Sequence, residues 1–315
     1  MQAVVVDNGD LLIEERPDPV PGETEVLVAV RAAGLNGADM LQRRGLYAAP
    51  PGSPADIPGM ELAGEVVAVG RSVTGARPGD RVMAIVGGGA QATMAVVDES
   101  HLLPVPDAVP WDAAGGFPEV FSTAYDALFT RAGLSIGERL LVTGAAGGVG
   151  VAGVQLGAAG GATVVASVRD PGNRDAVAAL GAHEVIGTED IAAHGPYHVV
   201  LELVGAASLP QALGALATGA RVAVVGVGSG SRIELDLLSL MGARASIGGS
   251  TLRARTRGEK AAVAARVRAH VVPLLADGRI RVPVCETFPL SQVARAYDRF
   301  VEGKKLGKIV LVTGD

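Results

Sequence analysis

Three glycines spaced three apart, Gly144, Gly147 and Gly150, lie in LLVTGAAGGVGVAGVQLG between an apolar run and a run of small residues. A dinucleotide site needs a tight turn, backbone free of side chains beside the pyrophosphate, and a helix N-terminus aimed at its charge. Glycine spacing alone says little in a chain with 44 glycines among 315 residues, and GGG at 87–89 reads as a turn. A strand pattern before the triplet, a helix pattern after it and a second strand ending near residue 168 supply the context that the chemistry requires. The competing reading is a glycine-packed strand–helix turn with no ligand. At the end of the second strand an acid would accept the ribose 2′-OH of NAD, and an arginine would accommodate a 2′-phosphate. The residues there are ASVRDPGNRD, with Arg169 and Arg174. Asp170 could neutralise Arg169 or approach the ribose, but the two arginines favour NADPH.

Other reactive types are sparse. Arg253, Arg255 and Arg257 form RARTR, a cluster that reads as a solvated face and otherwise as a contact for cofactor or coenzyme A phosphates. Cys285 is the single cysteine and has no basic neighbour in sequence, so it reads as a buried or inert thiol. His194 and His198 are four apart, yet Gly195 and Pro196 between them break any shared helical face. Trp111 follows Pro110 at a helix start and reads as packing.

The elements that must position these residues fall into two textures. Residues 1–110 are strand-and-turn sequence, with EVLVAVRAAGL (25–35), ELAGEVVAVG (61–70) and ARPGDRVMAIVGGG (76–89) as strand signals. From about residue 120, apolar strands alternate with helices: strand 138–144, helix 149–160, strand 162–168, helix 172–180, strands 183–186 and 197–205, helix 208–217 and strand 220–228. That alternation predicts a parallel sheet buried on both faces. A long helix is expected over 259–278, and the tail returns to strand in KIVLVTG (308–314). The expected domains are 1–120 with 275–315 returning to it, and 121–274 for the nucleotide. A formal charge of −6 with 27 Lys+Arg against 33 Asp+Glu argues against nucleic acid, and 49% apolar residues argue against disorder. No basic leader opens the sequence and no uninterrupted apolar run spans a bilayer, so a cytoplasmic protein is expected.

Several segments together resemble the medium-chain dehydrogenase/reductase superfamily, and within it the zinc-free quinone oxidoreductases. They are AAGLNGADMLQRRGLY (32–47), PGMELAGEVVAVG (58–70), GDRV (79–82), FPEVFSTAYDAL (117–128), VTGAAGGVG (142–150), ALGAHEVI (179–186), GRIRVP (278–283) and LGKIVL (306–311). FPEVFSTAYDAL with GGSTLRAR (248–255) is most similar to the p53-inducible quinone oxidoreductase branch, near the zeta-crystallin-like proteins. The resemblance implies an α/β chain with a GroES-like β-rich catalytic domain, a Rossmann doubly wound parallel-sheet domain, and an active site in the cleft between them.

The resemblance also implies the site. Where metal-dependent relatives hold catalytic zinc with a Cys, a His followed by Glu, and a second Cys, this chain has Asn36, Met60 followed by Glu61, and Glu119. That is a poor zinc set, so no metal is expected. Pyrophosphate contacts are implied for Ala146, Gly147, Gly148 and Val149. Arg169, Arg174 and Thr188 are assigned to the adenosine end, and Ser208, Val225, Gly226, Val227, Gly228, Ser250, Thr251 and Leu252 to the cofactor's path. Thr123 would face the nicotinamide, and Tyr47 would stand beside it. A phenol can donate a proton to a developing enolate or hydroquinone oxygen, or Tyr47 can simply pack on the cofactor. Asn36 could bond a ribose, a substrate oxygen or its own loop. Gly89 and Ala92 stand where relatives often carry tyrosines, which implies a more open pocket. The implied activity is NADPH:quinone oxidoreduction without zinc. An enoyl or alkenal reductase and a non-catalytic NADPH-binding protein are the alternatives. The partners expected are a small-molecule quinone or α,β-unsaturated carbonyl and a second copy in a homodimer, paired through apolar edge strands at 220–228 and 245–252.

Overall fold

The computed structural model describes residues 1–314 and divides the chain into two compact units. The first comprises Met1–Ser122, Leu252–Gly303 and the chain from Lys308 onward; the second comprises Thr123–Thr251 and Lys304–Gly307. The chain therefore returns to the first unit at Leu252, not at the expected 275. The reason lies in the helix Arg257–His270, which buries Val263, Ala264 and Val267. Its first residue, Arg257, is tied to residues of the first unit: its carbonyl meets His101 Nε2 at 3.0 Å, and its guanidinium pairs with Asp98 at 2.7 Å.

The first unit is built on a seven-stranded sheet around Glu25–Gly34, whose alternating burial fits a strand with one face on a core. Glu61–Val69 lies antiparallel on one side of it. Met94–Asp98 and Lys308–Val312 pair with it along different stretches of its length. Arg81–Ile85 and Leu103–Pro104 extend the sheet beyond Glu61–Val69, and Val284–Pro289 runs parallel beside Lys308–Val312. Val26, Val28, Val30, Leu62, Val66 and Val82 form the buried layer. The chain start is a hairpin, Gln2–Asp7 with Asp10–Glu15, turned by Asn8 and Gly9 at φ of 49° and 92°.

The second unit holds a six-stranded parallel sheet. Its spatial order is Glu184–Ile186, Thr163–Ser167, Arg139–Val142, Tyr197–Glu202, Leu216–Val224, Ser246–Gly249. In chain order that is 3-2-1-4-5-6, the doubly wound Rossmann arrangement, with Leu141, Val165, Val200 and Val222 in its core. Strand 220–228 begins earlier than expected, at Leu216, and lies inside the sheet; of the two strands expected at the edge, Ser246–Gly249 alone is there. Three helices are shorter than their patterns. Helix 172–180 is a 3₁₀ turn, Pro171–Asn173, followed by Arg174–Ala178, and helix 208–217 is only Leu209–Leu213. Helix 259–278 breaks after His270 and resumes as Val272–Ala276, because Pro273 has no N–H to continue the ladder.

Candidate functional site

The glycine turn joins Arg139–Val142 to the helix Gly148–Ala159, with Gly147 as the N-cap in extended conformation. A Cβ on Gly150 would stand 2.4 Å from Gly144 O and 2.7 Å from Ala145 Cα, so only glycine lets the helix start this close to the strand end. Ala146, Gly147, Gly148 and Val149 are all half-buried at this turn. A 12-residue helix whose first N–H groups lack side-chain caps, at the C-terminal end of a central parallel strand, fits a pyrophosphate. The residues present therefore fit the nicotinamide dinucleotide that this fold implies.

The residues expected at the cofactor stand in different surroundings in the second unit. Arg169 and Arg174 are exposed, and neither makes a side-chain hydrogen bond or ion pair among the described residues. Asp170 does not neutralise Arg169: its carboxylate accepts the Gly172 N–H at 3.0 Å and caps the following turn. Thr188 starts a 3₁₀ segment and its hydroxyl lies 3.4 Å from Glu189. Ser208, expected along the cofactor's path, is 0% exposed, and its hydroxyl donates to Glu202 Oε1 at 2.7 Å. The same oxygen accepts from Thr143 Oγ1 and from the N–H groups of Val204 and Gly205. Ser208 is thus part of a loop-fastening knot around Glu202, a residue with no sequence signal beyond the strand end it occupies. Val225 and Gly226 donate to Glu202 O, while Val227 and Gly228 are exposed. Ser250 donates to Asp126 at 3.2 Å, Thr251 is exposed, and Thr123 is buried. Leu252 is buried and belongs to the first unit.

Tyr47 and Arg253 come together in the first unit. Within the RARTR cluster Arg257 is exposed and Arg255 half-buried, but Arg253 leaves the expected solvated face and is 3% exposed. Its guanidinium donates to Gly87 O at 2.8 Å, Tyr47 O at 3.2 Å and Gln42 Oε1 at 2.6 Å, and it lies 5.0 Å from the Tyr47 ring centroid. Tyr47 is therefore held from its backbone and its ring face at once. Burial raises the phenol pKa, Glu119 adds to the rise, and Arg253 opposes it. Burial in turn lowers the pKa of Arg253.

Asn36 is committed to its own neighbourhood. Its amide nitrogen donates to Gly34 O at 3.2 Å and Glu61 Oε1 at 2.9 Å, and its amide oxygen accepts from Lys308 at 2.7 Å. Lys308 and Glu61 form a buried ion pair at 2.6 Å. Next to them lies Asp39, 0% exposed, which accepts the N–H groups of Asn36 and Gly59 at 2.8 and 3.2 Å. Burial dominates and raises its pKa from 3.8 to about 6, with Glu61 adding to the rise and the Asn36 N–H, Lys308 and Arg253 opposing it. Asp39 and Lys308 had no signal as site residues, and Arg253 had one only as a phosphate contact, because nothing local distinguishes a buried charge from a surface one.

Zinc does not fit here. The expected positions offer the Asn36 amide, the Met60 thioether and a single Glu119 carboxylate, and Glu61 is already held by Lys308. Among the described residues no group of three His, Cys, Asp or Glu could hold a metal ion. His194 instead meets Glu184 at 2.9 Å, and His198 Nδ1 accepts the Arg139 N–H. Cys285 is exposed, so of its two expected readings the buried one does not hold, and Arg299 lies 3.5 Å away; Trp111 stacks under Arg81 at 4.4 Å. No helix of the described residues is long and apolar enough to cross a membrane.

A Rossmann unit whose glycine turn admits no Cβ at Gly150 and a GroES-like unit with a buried polar centre define a two-unit oxidoreductase that uses a nicotinamide cofactor. Comparison with known proteins agrees. The alcohol dehydrogenase GroES-like domain matches residues 22–107, and the domain described as zinc-binding dehydrogenase matches 180–311. Human quinone oxidoreductase is 31% identical, covering 93% of this chain and 91% of its own length. The quinone oxidoreductase of Lama guanicoe is 33% identical over 93% and 90%. Among solved structures, an alcohol dehydrogenase superfamily protein from Novosphingobium aromaticivorans has a TM-score of 0.90 at 30% identity, covering 100% of both chains. The chain belongs to the medium-chain dehydrogenase/reductase family.

Proposed function

We propose that the protein is an NADPH-dependent quinone oxidoreductase that works without zinc. The observation that carries this reading is the donor set of Asn36, Met60 and Glu119, with Glu61 already paired with Lys308. Ketone reduction benefits from a Lewis acid on the carbonyl oxygen. Residues that offer a metal so little point to acceptors whose own electronics take hydride, and quinones are such acceptors. The quinone oxidoreductase names of its relatives support the same choice. Bound NADPH would supply the hydride. Ala146, Gly147, Gly148 and Val149 would hold its pyrophosphate, and the unpartnered Arg169 and Arg174 would take its 2′-phosphate. The test is NADPH oxidation screened against 1,4-quinones, enals and enoyl thioesters, with quinones expected to turn over fastest. Faster turnover of enals or enoyl thioesters would replace this reading.

A second reading, an enoyl or alkenal reductase, is favoured by one observation: Tyr47 is clamped by Arg253, and its pKa is raised, which keeps the hydroxyl protonated. Protonation of an enolate on carbon needs such an acid, worth about 10²–10⁴-fold, whereas a hydroquinone oxyanion takes its proton from water. Tyr47→Phe is expected to slow quinone reduction by less than about tenfold, the loss of at most one hydrogen bond. A fall of about a hundredfold with NADPH affinity unchanged would move the enoyl reading to the front.

The proposal extends to a homodimer. The edge strand Ser246–Gly249 is exposed throughout, and the helix Leu237–Ala243 exposes Leu237, Leu238 and Met241 at 62%, 77% and 69%. An unpaired edge beside apolar side chains is a surface that folded chains normally cover, and a two-fold copy of the same edge does so. Light scattering at micromolar concentration should give twice the chain mass; a monomer mass would contradict the proposal.

A further inference from the structure

The three glycines at 87–89 read in sequence as a turn, with room beside Gly89 for a more open pocket. In the folded unit all three are buried, and the chain itself fills that room. A Cβ on Gly87 would collide with Ser53 Oγ and lie 2.7 Å from Pro50 Cγ. One on Gly88 would lie 3.0 Å from Pro54 O, and one on Gly89 would lie 3.1 Å from Pro54 Cγ. Residues 50–54, PPGSP, thus rest on the bare backbone of the turn. Gly87 has no left-handed φ, so what keeps a side chain out of this position is the loop above it.

The same loop is fastened at both ends. At one end Arg253 donates to Tyr47 O at 3.2 Å, and also to Gly87 O at 2.8 Å and Gln42 Oε1 at 2.6 Å. At the other end Gln42 Nε2 donates to Ala55 O at 3.2 Å, and the Gly89 N–H donates to Ile57 O at 2.9 Å. Arg253 and Gln42 are 3% and 6% exposed, so water does not compete for these bonds. A guanidinium is a rigid fork that fixes the directions of its donors together. The loop end, the turn and the helix Gly37–Arg43, which carries Gln42, are therefore set relative to one another by one side chain.

We propose, resting on the reading of Tyr47 as a residue beside the reacting groups, that the Gly87–Gly89 turn is the seat of loop 47–55 and that Gly87, Gln42 and Arg253 are positioning residues which act on the reduction through Tyr47. Arg253 holds the Tyr47 carbonyl and lies 5.0 Å from its ring centroid, while the turn carries the remainder of the loop. A methyl group at Gly87 has to lift that loop: Ser53 can rotate its hydroxyl away, but the Pro50 ring is fixed to its own backbone. Displacement of a reacting or orienting group by about 1 Å can slow a reaction about a hundredfold.

The test uses the full chain and two readouts. The first needs no cofactor: the Tyr47 phenol is titrated by absorbance after pH jumps, as the difference between each protein and its Tyr47→Phe counterpart. Burial holds this phenol above its ordinary value of 10.0, so lifting the loop should bring it down towards 10.0. The second is kcat/KM for whichever of the quinones, enals and enoyl thioesters turns over fastest, so that a change of acceptor does not decide against the seat. Gly87→Ala should lower the titration and reduce kcat/KM at least about tenfold. Adding Pro50→Ala and Ser53→Gly, which clears the obstructing atoms, should restore both. In a Tyr47→Ala background Gly87→Ala should cost less than about a further twofold, because its effect runs through Tyr47. An unchanged titration in folded Gly87→Ala would overturn the proposal. So would losses that multiply in the Tyr47→Ala background, or a loss that the loop substitutions do not relieve. Should Gly87→Ala fail to fold, Ser53→Leu wedges the same gap from the loop side and should produce the same two changes; wild-type values for both would again overturn the proposal.

Discussion

The glycine turn of the second unit and the charged centre of the first are built by opposite means. The turn is backbone: Gly144 to Gly150 are contiguous, and what matters at Gly150 is the absence of a Cβ beside Gly144 O. The centre is side chains: Asn36, Asp39, Glu61, Arg253 and Lys308 come from segments up to 272 residues apart and meet only in the folded unit. A backbone device tolerates no added atom but carries no charge to neutralise. A side-chain device has its charges buried, so each partner depends on another. The two should therefore fail differently when broken.

The largest effect is expected at Lys308. Lys308→Met leaves Glu61 as a bare buried carboxylate, and removing one partner of a buried pair costs about 3–5 kcal/mol. Urea unfolding of the variant against the wild type measures it. A cost below about 1 kcal/mol, typical of surface pairs, would show that the centre is not the desolvated one described.

Asp39 gives the same comparison a pH axis. The folded chain holds its proton up to about pH 6, whereas the unfolded chain releases it near 3.8. The folded state thus binds more protons in that window, and stability falls as pH rises through it, by about 3 kcal/mol in all. Asp39→Asn should flatten this segment of the stability profile, whatever it costs in backbone hydrogen bonds at any one pH. Unfolding midpoints at several pH values between 4 and 7 provide the measure, and parallel profiles for variant and wild type would refute it. The glycine turn, with no titrating side chain, should contribute nothing to this slope.

Gly150→Ala should cost about 1–3 kcal/mol, because the atoms it meets are backbone and cannot rotate away. Gly258→Ala, which meets nothing within 4 Å at a helix start, should stay within about 0.5 kcal/mol. Thermal unfolding of the two variants compares them directly, and equal costs would remove the steric account of the turn.

The fold and the turn were legible in the sequence because both rest on contiguous patterns. The apolar strands from Arg139 to Val224 and the glycine spacing needed no knowledge of distant residues. Helix limits were less legible: Pro273 was visible, but the pattern of 259–278 outweighed it. The centre could not be read this way. Glu61 appeared only as the retained neighbour of a lost ligand, Lys308 only as a letter in LGKIVL, and Arg253 as a member of a charged run that resembles a solvent face. The register of Lys308–Val312 against Glu25–Gly34 is what brings Lys308 to Asn36, and register is a property of the sheet.

The smallest predicted effect is on cofactor choice. Arg169→Ala with Arg174→Ala should weaken NADPH about ten- to a hundredfold, the value of a charge-assisted phosphate contact, and leave NADH nearly unchanged. Titration of nicotinamide fluorescence measures both affinities. Equal losses for the two cofactors would mean that the arginines do not read the phosphate.

The most direct test of the account is to assay NADPH oxidation by a 1,4-quinone before and after exhaustive chelation, with metal content determined on the same sample. Turnover should persist within about twofold with less than stoichiometric metal, since Asn36, Met60 and Glu119 are a poor zinc set and Glu61 is already paired with Lys308. Loss of activity together with one bound zinc per chain, restored when zinc is returned, would contradict it.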